Sequence, residues 1–211
     1  MKNKIITIDG TAGSGKRRIS IYIKKKWGFF HLDSGVLYRR LGKLFIKNKV
    51  EMTNFKKIDS FLKKTKNISP RNNKTLRTEN ISKIASKIAT IKKVREFINN
   101  QQKIIVKKEL KKRGCVIDGR DIGSVVFKNA SLKIFVEVNE KIRAKRRHKQ
   151  LNDIGEKSIY AKILKEIKLR DKKDKSRKNS PLVIPKGAYI IDNSGNFQNT
   201  IKQINKIIKI K

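Results

Sequence analysis

The sequence predicts an α/β fold: five short strands in one parallel sheet, covered by helices on both faces to make three layers, α/β/α. Three observations carry this. Short apolar runs alternate with segments of helical period, the pattern of a sheet wound by crossover helices. The five runs, Ile5–Asp9, Phe29–Leu32, Val116–Asp118, Leu132–Val138 and Tyr189–Asp192, read as buried strands. Finally, Asp9, Asp33, Asp118 and Asp192 stand at or just past strand ends, on the rim where such sheets bind ligands.

Taken in order, the first run opens into Gly10-Thr11-Ala12-Gly13-Ser14-Gly15-Lys16, followed by a helical segment. Glycines at this spacing let backbone N–H groups converge on phosphate oxygens, the helix N-terminus adds positive potential, and Lys16 supplies a point charge. A P-loop places Ser or Thr after that lysine to hold Mg²⁺; this chain has Arg17, followed by Arg18. An outward-turned Arg17, with the metal keeping a water instead, is the expected arrangement.

The second strand ends at Asp33, and Ser34 reads as the N-cap of a helix that carries Arg39 within two turns, a second phosphate-binding position. From Val50 to Thr78 the chain is polar, with Pro70 and the run RNNK, and predicts an inserted lobe holding a helix over Lys56–Thr65 and a turn. Ile81, Ile84, Ala85 and Ile88 then share a helix face, as do Val94, Phe97, Ile98 and Ile105. The third strand delivers Asp118 to the rim, with Gly119, Arg120 and Asp121 in a tight turn; Asp118 or Asp33 could reach Mg²⁺ through water. After the fourth strand, Glu140 to Arg177 is charged and helical, the pattern of a basic hairpin. Within it Arg170, Asp174 and Arg177 recur at i, i+4 and i+7, so a helix would put them on one face. The fifth strand and a helix bearing Ile201, Ile204, Ile207 and Ile208 close the fold.

Lys and Arg outnumber Asp and Glu by 56 to 17 over 211 residues, a formal charge of +39. Counterion release onto a polyanion is one reading of that excess. The basic residues run along the whole chain rather than forming a stripe, and this favours a solvated surface with an acidic small-molecule substrate. Cys115 alone excludes an internal disulfide and suits a reducing cytosol. No run approaches the ~20 apolar residues of a membrane span, so a cytoplasmic protein is expected.

In this order, ITIDGTAGSGK, LDSGVLYR, LRTENIS, KVRE, DGRDIGSVVF, KIFVEV, RAKRRHKQL and EIKLRDKKDKSR resemble bacterial cytidylate kinase, of the nucleoside monophosphate kinase family, over nearly the whole chain. The resemblance implies transfer of the γ-phosphoryl group of ATP, carried with Mg²⁺, to CMP or dCMP. It implies a single domain with its core at 1–33, 79–139 and 178–211, a monophosphate-binding insert at about 34–78 and a lid at about 140–177, acting as a monomer without specific nucleic-acid or membrane partners. Residue by residue, it places ATP on Gly10 to Arg18, with Arg143, Arg146 and Arg147 approaching from the lid. Ser86, Arg95 and Asp121 would read the cytosine edge, with Tyr38 beside them. Arg170 and Asp174 would hold the sugar, and Ser34, Arg39, Arg120 and Arg177 the acceptor phosphate. Lys16, Arg120, Arg170, Arg177 and Asp118 form the expected catalytic set. The lobe at Val50–Thr78 is short for the family, whose members usually build a small sheet there. Two other readings are a basic nucleic-acid-binding protein that kept the fold and lost turnover through Arg17, and a kinase acting on UMP.

Overall fold

A computed structural model describes residues 4–209. Its strands are β1 (Ile5–Gly10), β2 (Phe30–Asp33), β3 (Cys115–Asp118), β4 (Leu132–Glu137) and β5 (Tyr189–Asp192). They form one parallel sheet in the order β2-β3-β1-β4-β5. All five predicted strands form, with ends moved by no more than a residue. The two termini of the predicted core, residues 1–3 and 210–211, lie outside the described residues.

Alternation along the strands explains the two layers of helix. Ile6 and Ile8 on β1, Val116 on β3 and Ile134 and Val136 on β4 face helix α1 (Lys16–Trp27) and helix α8 (Phe197–Lys209), meeting Ile19, Ile23 and Ile204. Cys115 and Ile117 turn to the opposite face, where Leu37 and Leu41 of α2 (Ser34–Lys47) and Val94 and Ile98 of α5 (Lys92–Leu110) cover them. Each of these fully buried branched side chains contributes roughly 1.5–3 kcal/mol.

The Val50–Thr78 stretch contains α3 (Phe55–Lys64) and a 3₁₀ turn at Lys74–Arg77, and no strand. Its helix starts one residue before the predicted one because the Asn54 side chain accepts from the Lys57 N–H at 3.0 Å. Gln101 of α5 holds the stretch to the core, accepting from the Ile68 N–H at 3.1 Å and donating to the Lys66 carbonyl at 3.1 Å. Helix α4 (Glu79–Ile88) packs on α2, where Gly42 leaves room for the Ala85 backbone. The charged hairpin is α6 (Glu140–Asn152) and α7 (Tyr160–Ser176).

Two local expectations are corrected. Asp33, not Ser34, caps α2: it stays extended and its Oδ1 accepts from the Val36 N–H at 3.2 Å, while Ser34 is already helical. And Arg177 does not continue the helical face of Arg170 and Asp174. Helix α7 ends at Ser176, and Arg177 is extended (φ −65°, ψ 136°). Its Nε donates to the carbonyl of Ser180, which adopts a left-handed φ of 53°.

Candidate active site

Strand pairing creates the site. β1 and β3 are neighbours with Ile8 opposite Asp118, and the Gly119 N–H donates to the Ile8 carbonyl at 3.0 Å. The glycine loop after β1 and the Gly119–Asp121 turn after β3 therefore leave the same end of the sheet side by side. Asp9 locks the turn to the loop: its two carboxylate oxygens accept from the Ile122 N–H at 2.8 Å and the Gly123 N–H at 2.7 Å. Burial dominates its environment and pushes its pKa up to about 6, despite these two donors. The sequence marked Asp9 as a rim carboxylate without giving it this task; its position opposite a turn 113 residues away is a tertiary fact.

In the glycine loop, Gly13 and Gly15 adopt φ of 75° and 86°, which a side chain would strain. Lys16 folds back over the loop, donating from Nζ to the Gly10 carbonyl at 2.8 Å and the Thr11 carbonyl at 2.6 Å, with Ser14 Oγ at 3.3 Å. Burial, then the neighbouring Arg120 cation, hold its pKa well below the ordinary lysine range. Arg17 is exposed, and its side chain makes no hydrogen bond or ion pair among the described residues. Arg18 is exposed too and stacks 3.9 Å above the Phe197 ring.

Opposite the loop stands a group of guanidinium and carboxylate side chains. Arg120 Nε donates to Asp174 Oδ2 at 2.9 Å, and Arg177 reaches Asp174 at 3.6 Å and Asp121 at 3.8 Å. Burial opposes the charge of Asp174, but Arg120, Arg177 and Arg170 outweigh it and hold the carboxyl below its usual range. Arg95 is buried, pairs with Asp121, donates to the Ala89 carbonyl at 2.9 Å and lies 5.8 Å from the Tyr38 ring. Arg39 pairs with Asp33 at 3.2 Å, and Ser34 is buried against Gly119. Arg170 is exposed and makes no ion pair among the described residues. Crowding by protein, then the Arg120 and Arg39 cations, lower its pKa.

Buried atoms without hydrogen-bond partners mark where this group is incomplete: among the described residues, Tyr38 Oη, Arg39 Nε, Arg95 Nε and Arg177 Nη2 make no hydrogen bond. Buried polar groups are ordinarily satisfied, and a cluster of unsatisfied donors beside mutually repelling cations is suited to an incoming anion. Ser86, on α4, is exposed.

The hairpin arginines divide. Arg143 is buried and fully engaged: it pairs with Asp171 of α7 and donates to the Val138 carbonyl at 2.9 Å and the Ala12 carbonyl of the glycine loop at 3.0 Å. Arg146 donates to the carbonyls of Asn193, Ser194 and Gly195. Arg147 is exposed and, among the described residues, bonds only Gln150. Asp118 accepts through Oδ2 from Ser20 Oγ at 3.0 Å and lies 3.2 Å from His31 Nε2. Neither bond uses Oδ1.

A parallel sheet in this order, a glycine loop closing on a lysine, and an arginine cluster facing it define a P-loop phosphotransferase. The sequence matches the cytidylate kinase family model over residues 6–210, and the chain belongs to that family. It is 39% identical over 211 residues to the cytidylate kinase of Rickettsia rickettsii (strain Sheila Smith), covering 100% of this chain and 94% of the relative. It is 41% identical over 193 residues to that of Rickettsia canadensis (strain McKiel), covering 92% and 86%. Among solved structures, a Thermus thermophilus protein superposes with a TM-score of 0.55 at 13% identity, covering 99% of this chain and 98% of its own. The shikimate kinase of Bacteroides thetaiotaomicron gives 0.52 at 10%, covering 98% of each chain. At such identities these two bear on the fold alone.

Proposed function

We propose that this chain is an ATP-dependent kinase that phosphorylates CMP or dCMP, giving CDP or dCDP and ADP. Family membership over residues 6–210 and the Rickettsia relatives, named cytidylate kinases, support that reaction. The observation that carries the reading in the structure is the β1–β3 pairing, closed by the 3.0 Å bond from the Gly119 N–H to the Ile8 carbonyl, which brings the glycine loop with Lys16 and the turn with Arg120 to the same rim.

Two anionic nucleotides brought end to end repel each other, so catalysis is largely alignment and charge neutralisation. The glycine loop and Lys16 take the β- and γ-phosphates of ATP. Ser34, Arg39, Arg120 and Arg177 surround the acceptor phosphate, where planar guanidinium forks grip oxygens bidentately and keep their charge, while Arg170 and Asp174 hold the sugar. Tyr38, Ser86, Arg95 and Asp121 lie toward the base, and Asp174 also fixes the Arg120 and Arg177 guanidinium groups. An oxygen of the acceptor phosphate attacks the γ-phosphorus as the bond to the β–γ bridging oxygen breaks, and ADP leaves with that oxygen. The α6–α7 hairpin acts as a lid over residues 140–177, excluding water that would otherwise accept the phosphoryl group. The stretch 34–78 acts as the monophosphate-binding insert, and the remainder as the core.

Among the described residues no three or more His, Cys, Asp and Glu side chains group to hold a metal. The residues do fit an ion carried by the nucleotide, because Asp118 has an oxygen left over for one of its waters. Bound Mg²⁺ would neutralise charge on the β- and γ-phosphates. Arg17, exposed and unpaired among the described residues, would leave that position to water.

A coupled assay of ADP release tests the reading: turnover with CMP and dCMP, and far less with UMP, is expected. No ADP with any monophosphate, together with tight salt-sensitive DNA binding, would overturn it in favour of a nucleic-acid-binding protein.

A further inference from the structure

The turn after β5 touches the glycine loop, and nothing in the sequence pattern singled it out. Asn193 is only 5% exposed, and both ends of its side-chain amide are engaged. Nδ2 donates to the Ser14 carbonyl at 2.8 Å, and Oδ1 accepts from Thr200 Oγ1 of α8 at 2.8 Å. A carbonyl only accepts, so Ser14 decides which end of the amide faces the loop, and the buried Thr200 hydroxyl secures the other end. The Asn193 backbone is engaged as well: its N–H donates to the Glu137 carbonyl at 3.1 Å and its carbonyl accepts from Arg146 Nη1 at 2.8 Å. A Cβ on Gly15 would fall 2.2 Å from Nδ2, so the loop is shaped to this amide.

We propose that Asn193 is a positioning residue for the phosphates of ATP. The peptide joining Ser14 to Gly15 is planar and trans, so its carbonyl and its N–H point in opposite directions. Holding the Ser14 carbonyl against Asn193 turns the Gly15 N–H away from Asn193 and into the cradle, where it can meet a phosphate oxygen. The same bond ties the loop to the lid: α6 reaches the Asn193 turn through Arg146 and the loop itself, at Ala12, through Arg143. Closing of the hairpin and presentation of the loop N–H groups are thereby joined at one residue, whose carbonyl meets α6 and whose side chain meets the loop, and which itself contacts no substrate.

The inference rests on the loop being the ATP site. Asn193→Asp turns the donor facing the Ser14 carbonyl into an acceptor, whereas Thr200→Val removes only the hydroxyl that orients the amide. We expect KM for ATP to rise about tenfold in Asn193→Asp, the worth of one such bond, and by a smaller factor in Thr200→Val, with KM for CMP unchanged in both. Calorimetric titration with a non-hydrolysable ATP analogue should show the same ranking. If Asn193→Asp does not fold, Thr200→Val decides alone. Unchanged ATP constants, or equal losses for ATP and CMP, would overturn the inference, the second pattern being that of general loosening. A wild-type chain that forms no ADP with CMP would instead sink the kinase reading, so the two failures are told apart.

Discussion

Arg120 and Asp174 are joined by a 2.9 Å hydrogen bond that ties the turn after β3 to the last turns of α7. This bond crosses from sheet rim to the α6–α7 hairpin, and Asp174 serves Arg177 as well. Asp174→Ala is expected to lower kcat/KM for CMP about a hundredfold, since removing one partner leaves two half-buried cations without their carboxylate and cationic heads free to rotate out of line. KM for ATP should change little. Steady-state kinetics with each substrate varied in turn checks this.

Arg17 stands where a P-loop sequence leads one to expect a metal-binding hydroxyl, yet its side chain is exposed and unpaired among the described residues. Arg17→Ser should therefore change kcat by no more than about twofold, the range of ordinary surface substitutions. A gain of a hundredfold would mean that Arg17 obstructs the metal.

Lys16 has its pKa held down by burial and by Arg120. ATP phosphates would favour the charged ammonium and raise it. Binding at alkaline pH must then take up a proton, and affinity for ATP must fall as pH rises through the depressed value. Calorimetry in buffers of different ionisation enthalpy should detect this uptake in wild type and lose it in Lys16→Met. That variant should also lose about a thousandfold in kcat, as when a preorganised donor to transferring charge is removed.

Asp9 offers a stability test with a definite sign. Its carboxyl is raised from 3.8 to about 6 in the folded protein. Between those values the native state holds a proton that the unfolded chain has released, so this group's contribution is fully present below about 3.8 and is lost as pH rises through about 6. Urea unfolding should find wild type gaining about 1.4 kcal/mol relative to Asp9→Asn on going from pH 8 to pH 5. No gain would show that the carboxyl is not buried as described.

Cys115 lies fully buried on β3, and burial pushes its thiol up to about 12. Thiol reagents at neutral pH should label it only as fast as the chain unfolds. Rapid labelling of the native protein would contradict the packing of β3 against α5.

The amino-acid order by itself determined the strands, the glycine loop, the charged hairpin and, to within one residue at each end, the helix α3, because these depend on local period, glycine spacing and turn chemistry. Motif order likewise brought Arg120, Asp174 and Arg177 into one expected site. Local rules misassigned the α2 cap and the end of α7, since Asp33 and Ser34 are both good caps and a three-residue offset in charge looks the same in a helix and just beyond it. Tertiary structure alone decided that Asp9 holds the Ile122 and Gly123 N–H groups just past the Gly119–Asp121 turn, that Arg143 is taken up by Asp171 and Ala12, and that Asn193 reaches Ser14. Those contacts join residues from 28 to 179 positions apart. Which strand lies beside which is set by packing the whole sheet, and no local spacing encodes it.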